Sequence, residues 1–324
     1  MKNNYELSVL IPSRNEEFLK ETIESILQNK EAKTEIIVGL DGEWSNPPIP
    51  QHPDVNIIYT PEAIGQRAIT NLCARLSRAK FLMKADAHCA FDKGFDRKMI
   101  EGFKQVGDDA MMVPVMRNLH AYDWVCECGE RKYQDKGGIC DKCGKQMTKD
   151  MKWIAKHNPQ SVSYCFDKTP HFQYFEAYKH REPFLTDRKT GFTSTMSLQG
   201  SCFMCTRQNY WDWEVCDESL GSWGGQGIEL ALSTWLSKHS VLVNHNTYYA
   251  HMFRTKSVND FGFPYRQPGK EVQKTKRRVE DKFWNFKHPK QKKPVSWLLK
   301  RFWPVPGWDQ KDLDDLIKKE RSSP

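Results

Sequence analysis

The chain has 324 residues, 28% of them charged, and a formal net charge of +8. That length allows one large or two small domains with a sizeable core. No run approaches the roughly 20 apolar residues that cross a bilayer as a helix, which excludes a carrier or channel built from such spans.

Met1 to Ser8 contains no apolar signal region, so the expected address is cytoplasmic. Ten cysteines without a secretion signal read as thiols or metal ligands rather than disulfides. Leu7-Ser-Val-Leu-Ile-Pro12 is a β-rich run ended by proline. Its continuous apolar character predicts a parallel strand covered on both faces. Ser13-Arg-Asn-Glu16 follows as a polar loop. Phe18, Leu19, Ile23, Ile26 and Leu27 recur at helical spacing, which predicts an amphipathic helix over residues 16–29. Glu35 to Asp41 and Val55 to Tyr59 read as strands, the first ending in an acid and Gly42. Gly65 to Ala79 reads as a helix with Ile69, Leu72 and Leu76 along one face.

Phe81 to Cys89 then reads as a strand ending in Asp86-Ala-His88. Residues two apart in an extended chain point to the same side. The carboxylate and the imidazole therefore converge, and that pair suits a divalent ion such as Mn²⁺. The order β-α-β-β-α-β predicts an open, mostly parallel sheet with helices on both faces. Ligands of such sheets bind beyond the carboxyl ends of the strands. Ser13 to Glu16, Asp41 and the Asp86/His88 pair all fall on that edge.

Ala110 to Met116 reads as a further strand. Beyond it, Cys126-x-Cys128-Gly and Cys140-x-x-Cys143-Gly have metal-knuckle spacing. Four thiolates suit tetrahedral Zn²⁺ in a structural role, because no coordination position stays open. The polar residues between the pairs cannot build a core of their own, so the metal would supply the stability of this insert. His171 to Lys179 is aromatic and reads either as core packing or as an acceptor groove. Ser197 to Cys205 reads as a strand in which Gly200 lets a ligand approach the backbone. Gly221 to Glu229 is a glycine-rich loop feeding a helix over Leu230 to Lys238, and a helix N-terminus favours anions. Val241 to Tyr249 reads as a strand running into Ala250-His-Met-Phe-Arg254, and Phe261 to Gly269 as a lid with glycine hinges. Lys270 to Lys293 holds ten Lys or Arg against three acids, a balance of +7 that suits an anionic partner. Asp309 to Lys319 has the spacing of a helix.

Pro12-Ser-Arg-Asn-Glu16, Asp41, Asp86-Ala-His-Cys89, Trp223-Gly-Gly, His251-Met-Phe-Arg254 and Pro264-Tyr-x-x-Pro-Gly269 stand in the order seen in nucleotide-sugar glycosyltransferases of the GT-A fold. Within that fold the chain most resembles the catalytic domain of polypeptide N-acetylgalactosaminyltransferases, from about residue 6 to about residue 285. The resemblance implies an α/β GT-A fold, a UDP-sugar donor and Mn²⁺ (or Mg²⁺). It implies that Asp86, His88 and His251 bind the metal and that Arg254 contacts the diphosphate. Pro12, Ser13, Arg14, Asn15, Glu16, Asp41 and Arg67 would hold the nucleotide, with Gly200 and Tyr265 also at the donor. Trp223, Gln226 and Glu229 would face the sugar in a retaining hexosyl or N-acetylhexosaminyl transfer. Gln226 stands where the family has Glu, which leaves the identity of the sugar open; an amide keeps an acceptor and gains donors but loses charge. The zinc insert formed by Cys126, Cys128, Cys140 and Cys143 has no counterpart in the family.

The expected organisation is a nucleotide-sugar half over residues 1–119, the zinc insert over 120–150, an acceptor half with its lid over 151–269, and a basic, Trp-rich extension over 270–324. The favoured acceptor is DNA carrying hydroxymethylated pyrimidines, as in viral DNA modification in a host cytoplasm. It is motivated by the basic segment, the zinc insert and the interleaved Trp284, Trp297 and Trp303. The alternatives are Ser/Thr of a protein, a lipid-linked or cell-wall glycan with Val295 to Pro304 resting at a membrane interface, and a non-catalytic module that binds sugar nucleotides or nucleic acid.

Overall fold

A computed structural model describes residues 5–222, 224–254 and 269–322. The first half runs β1 (Leu7–Ser13), α1 (Leu19–Asn29), β2 (Thr34–Asp41), β3 (Val55–Thr60), α2 (Gln66–Leu76), β4 (Phe81–Ala85), β5 (Cys89–Phe91), α3 (Phe95–Val106) and β6 (Ala110–Val125). The second half adds β7 (Arg131–Tyr133), β8 (Thr148–Ser161), β9 (Tyr164–Phe166), β10 (Phe172–Tyr174), α4 (Glu182–Arg188), β11 (Phe192–Ser194), β12 (Cys202–Thr206), α5 (Arg207–Asp212), α6 (Gln226–Leu236) and β13 (Ser240–His251). Three helices follow: α7 (Gly269–Trp284), α8 (Val295–Phe302) and α9 (Gln310–Ser322).

The main sheet has the order β11-β13-β6-β12-β4-β1-β2-β3. β3, β2, β1 and β4 are parallel, as their unbroken apolar runs predict. β12 enters antiparallel between β4 and β6, and β13 runs parallel to β6. This is a GT-A sheet, mixed but mostly parallel.

Each face of the sheet carries its own core. Leu7, Val9, Ile11, Ile36 and Val38 point to the layer closed by α1 and α3. Leu10, Ile37 and Leu82 point to the other layer, closed by α2, α6, α8 and α9. Burying each such aliphatic side chain contributes about 1.5–3 kcal/mol.

Two expectations are corrected here. The strand foreseen over Ser197 to Cys205 begins only at Cys202, so Gly200 lies in the turn before it. The aromatics of the basic extension turn inward: Trp284 is buried, while Trp297 and Trp303 pack half-buried against the core that holds Val295, Leu298, Leu299 and Phe302. The apolar face of α8 is therefore spent on this core rather than offered to a lipid surface. The same packing leaves Trp284 no open face for stacking bases and covers part of Trp297 and Trp303. No helix among the described residues is long and apolar enough to cross a membrane.

The cysteine insert rides on a hairpin. β6 continues to Val125 and pairs antiparallel with β8, and residues 126–147 form its tip. Gly129 and Gly144 follow the two cysteine pairs with φ of 88° and 73°, a conformation that glycine adopts without strain. Their amides close the knuckles onto the carbonyls of Cys126 and Cys140, each at 2.9 Å.

Candidate functional site

Strand register builds the site. β13 runs parallel to β6 and antiparallel to β5, which sets His251 opposite Cys89. The main-chain amide of Met252 donates to the carbonyl of His88 at 3.1 Å. The two histidines, 163 positions apart in the chain, thus meet with ring centroids 4.8 Å apart. Because β12 is antiparallel to β4, its beginning meets the end of β4. That brings Gly200 and Ser201 to the same edge, where the amide of Asp86 donates to the Ser201 carbonyl at 2.8 Å.

Asp86, His88 and His251 each offer one ligand atom within 4.8 Å of the others. Asp86 Oδ2 lies 3.2 Å from His251 Nε2 and 3.8 Å from His88 Nε2. Its other oxygen, Oδ1, accepts from the ammonium of Lys84. Burial works against ionisation of Asp86, but Lys84 and the two imidazoles hold its carboxyl well below the usual range. Burial pushes His251 down to about 4, although Asp86 pulls the other way. One carboxylate oxygen and two neutral imidazole nitrogens are a donor set that a divalent Mn²⁺-like cation accepts. The buried His251 Nδ1 has no hydrogen-bond partner among the described residues.

Glu16 backs this cluster. Its Oε2 lies 3.3 Å from His88 Nδ1, and its Oε1 pairs with the guanidinium of Arg254. A carboxylate on Nδ1 fixes the tautomer and leaves Nε2 as the ligating atom. Glu16 lines the cavity, but its carboxylate is engaged by these two groups.

The cluster opens into a cavity of about 350 Å³, within the range of small-ligand sites. Pro12, Arg14, Glu16, Asp86, His88, His251 and Arg254 line one part of it. Gly200, Ser201 and the N-terminus of α6, from Gly224 to Ile228, line another. Gln226 faces the cavity; its Oε1 accepts from Gln66 Nε2 at 3.2 Å and its Nε2 donates to Cys216 Sγ at 3.3 Å. A side chain at Gly227 would place Cβ 1.8 Å from the Leu198 carbonyl oxygen, so only glycine lets this turn and α6 approach so closely.

Other anticipated residues stand elsewhere. Asp41 is fully buried, and its carboxylate accepts from the amides of Ile64 at 2.6 Å and Gly65 at 3.0 Å. It orders the entry to α2 and does not line the cavity. Ser13 is buried at the end of β1, and Asn15 adopts a positive φ of 48° in the loop beyond. Arg67 does not reach the cavity. Its guanidinium pairs with Glu229 and donates to the carbonyls of Gly221 at 2.7 Å and Gly224 at 2.6 Å. Both members of that pair are buried, so Glu229 also stands behind the cavity wall. Together they pin the glycine loop onto α2. Arg67→Met strands the Glu229 carboxylate, with an expected stability loss of about 3–5 kcal/mol. Arg67→Met combined with Glu229→Leu should recover most of it in a denaturant titration; equal losses in both variants would contradict this. Trp223, Tyr265 and the lid expected over Phe261 to Gly269 lie outside the described residues, save for Gly269 at the start of α7.

Lys84 was missed. Its signal was a lone lysine inside Phe81-Leu-Met-Lys-Ala, two positions before Asp86, which stands just past the end of β4. Gln66 also lines the cavity without any sequence signal of a site, and so do Phe172, from the aromatic stretch read as core or acceptor groove, and Phe253, from the His251 to Arg254 motif.

The four cysteines form a second candidate metal centre, their sulfurs all within 4.8 Å of one another. The Sγ atoms of Cys126 and Cys143 are 3.3 Å apart, and those of Cys128 and Cys140 3.6 Å. Four ligands at ~2.3 Å around tetrahedral zinc stand roughly 3.8 Å apart, so the cluster fits the ion. Burial opposes the Cys140 thiolate, yet the amides of Cys143 and Lys142 hold its pKa to about 7.

Residues 8–125 match the model of glycosyl transferase family 2. A crystal structure of GalNAc-T7 with UDP, GalNAc and Mn²⁺ superposes with a TM-score of 0.60 at 16% identity, covering 97% of this chain and 55% of that one. A crystal structure of S. aureus TarS gives a TM-score of 0.50 at 11% identity, covering 92% and 42% respectively. The chain thus spans about half the length of these solved chains. At such identities the likeness is one of fold.

Proposed function

We propose that this GT-A-fold chain is a metal-dependent glycosyltransferase that moves a sugar from a UDP-sugar to a hydroxyl of a macromolecular acceptor. The observation that carries this is the convergence of Asp86, His88 and His251 beside Arg254, at the mouth of a cavity on the carboxyl edge of the sheet. The family match over residues 8–125 supports it, as does the fold neighbour solved with UDP, GalNAc and Mn²⁺.

Asp86 Oδ2 and the Nε2 atoms of both histidines would hold Mn²⁺ or Mg²⁺. When bound, the cation neutralises charge developing on the departing diphosphate. Arg254 adds charge-assisted hydrogen bonds to the same phosphates. Pro12 and Arg14 bound the nucleotide side of the cavity. Gln226 and the glycine turn ahead of α6 orient the sugar hydroxyls. Retention of configuration, and a hexose or N-acetylhexosamine as the sugar, follow from the resemblance and complete the proposal.

Surface charge is what favours one acceptor. Lys274, Arg277, Arg278, Lys287, Lys290 and Lys292 are exposed on α7 and the segment after it. Such a surface suits the phosphates of DNA, so hydroxymethylated-pyrimidine DNA is the first acceptor to test.

The test incubates the protein with Mn²⁺, a panel of UDP-sugars and three acceptors: hydroxymethylated DNA, a Ser/Thr peptide and a lipid-linked glycan. Mass spectrometry should find sugar on one acceptor, and chelation should stop the transfer. Salt-sensitive transfer to DNA supports the favoured acceptor, whereas transfer to the peptide or the lipid replaces it. UDP-sugar left intact under every condition would remove the enzymatic reading altogether.

A further inference from the structure

We propose that Lys84 cancels the charge of Asp86 and so makes cation binding here conditional on the diphosphate of the nucleotide. The inference rests on the reading that Asp86, His88 and His251 hold a divalent cation. Lys84 lies on β4, with a side chain only 1% exposed. Its register neighbours are Leu10 on β1 and Phe203 on β12, and the remainder of its strand is Phe81, Leu82, Met83 and Ala85. Packing alone calls for an apolar residue at this position. Burying an ammonium here is costly, and its partners show what offsets that cost. Nζ bonds Asp86 Oδ1 and donates to the Gly200 carbonyl at 2.8 Å.

The geometry divides the Asp86 carboxylate. Oδ1 belongs to Lys84, and Oδ2 faces both imidazoles. A ligating imidazole is neutral. Glu16 and Arg254 pair with each other. Among the described residues, the groups closest to the cation position therefore carry no net negative charge: one carboxylate, one ammonium, two neutral rings and the Glu16–Arg254 pair, with the Arg14 cation also lining the cavity. Affinity of oxygen-rich cation sites follows the count of charged ligands. A divalent ion leaving water for a site without counter-charge is poorly held. A UDP-sugar diphosphate brings two negative charges and completes the balance. Cation and nucleotide then bind as a mutually dependent pair, and linkage makes the dependence reciprocal. Lys84 acts here as a positioning residue, working through Asp86. Its hydrogen bond to Gly200 also ties the cation site to the turn that walls the cavity.

Mn²⁺ binding to the full chain is measured by electron paramagnetic resonance and calorimetry, with and without UDP. In the wild type, UDP should tighten Mn²⁺ binding by about 10- to 100-fold. Lys84→Met should bind Mn²⁺ alone at least about tenfold more tightly, with coupling to UDP reduced to within about threefold. A side chain serving only to support the fold would leave that coupling ratio unchanged. If wild-type protein binds Mn²⁺ equally well with and without UDP, or if Lys84→Met keeps the full coupling, the proposal is overturned. Binding of Mn²⁺ under neither condition instead removes the cation-site reading on which it rests. Should Lys84→Met fail to fold, Lys84→Gln is measured in its place, and the wild-type comparison stands by itself.

Discussion

Replacing His88 with alanine is expected to lower metal-dependent turnover on the order of 10³-fold while the chain stays folded. The imidazole lies in the turn between β4 and β5 with Nε2 3.8 Å from Asp86 Oδ2. Among the described residues the metal cluster holds just Asp86, His88 and His251, and His251 already approaches the same oxygen at 3.2 Å. Alanine removes one of three ligand atoms and leaves a divalent ion with one carboxylate oxygen and one nitrogen. The backbone has little reason to move. The hydrogen bond from Met252 to residue 88 uses the main-chain carbonyl, and Glu16 keeps its pairing with Arg254. Circular dichroism and thermal melting should therefore stay close to wild type. His251→Ala should lose a comparable factor, and the double variant little more, because ligands of one ion act as a unit. UDP-sugar hydrolysis without acceptor is the cleanest assay, since it does not depend on the identity of the acceptor. A folded His88→Ala protein with near-wild-type hydrolysis would place the cation elsewhere.

Much of this architecture could be read from residue order. Unbroken apolar runs such as Leu7 to Pro12 marked parallel strands, and the polar groups at their ends marked one edge of the sheet. Asp86 and His88 were singled out by strand alternation, but β4 ends at Ala85, and the pair converges in the turn before β5 instead. His251 came only through the resemblance, because its placement depends on the pairing of β13 with β5. Which way a polar side chain turns was not legible. Asp41 and Arg67 have the right chemistry for a nucleotide, yet each is consumed by the fold: Asp41 by two amides, Arg67 by Glu229 and two carbonyls. The tryptophans beyond Lys282 show the same limit. Their composition suits a stacking surface, but α8 and α9 dock on the core and draw them inward. Lys84 is the reverse case. A charge inside an apolar strand is costly, and its cost was the clue to a partner two residues away.

Removing zinc from the cysteine cluster is expected to unfold residues 126–147 while the main sheet persists. The tip buries little apolar surface: Cys126, Cys140 and Met147, with Trp124 packed beside them. Its backbone bonds are a short ladder of β7 with β6 and local turns such as Cys126 to Glu130, Cys140 to Lys145 and Met147 to Gly138. Ordering some twenty residues costs about 1–2 kcal/mol each, far more than those contacts return. Structural zinc contributes about 10–16 kcal/mol in small modules of this kind, a large share of what holds the tip in order. Elemental analysis of protein kept free of added metal should find one zinc per chain. After chelation, or in Cys140→Ser, hydrogen exchange should show lost protection at the amides of Cys126, Gly129, Cys140 and Gly144. Amides of β1, β2 and β4 should keep theirs. The foot of the hairpin has its own support, because Lys149 lies over the rings of Phe18, Tyr122 and Trp124. Loss of protection should therefore stop near Thr148 rather than run down β8. Protein free of zinc with those four amides still protected would mean that hydrogen bonds alone hold the knuckles, and the sulfurs would lose their assignment as ligands.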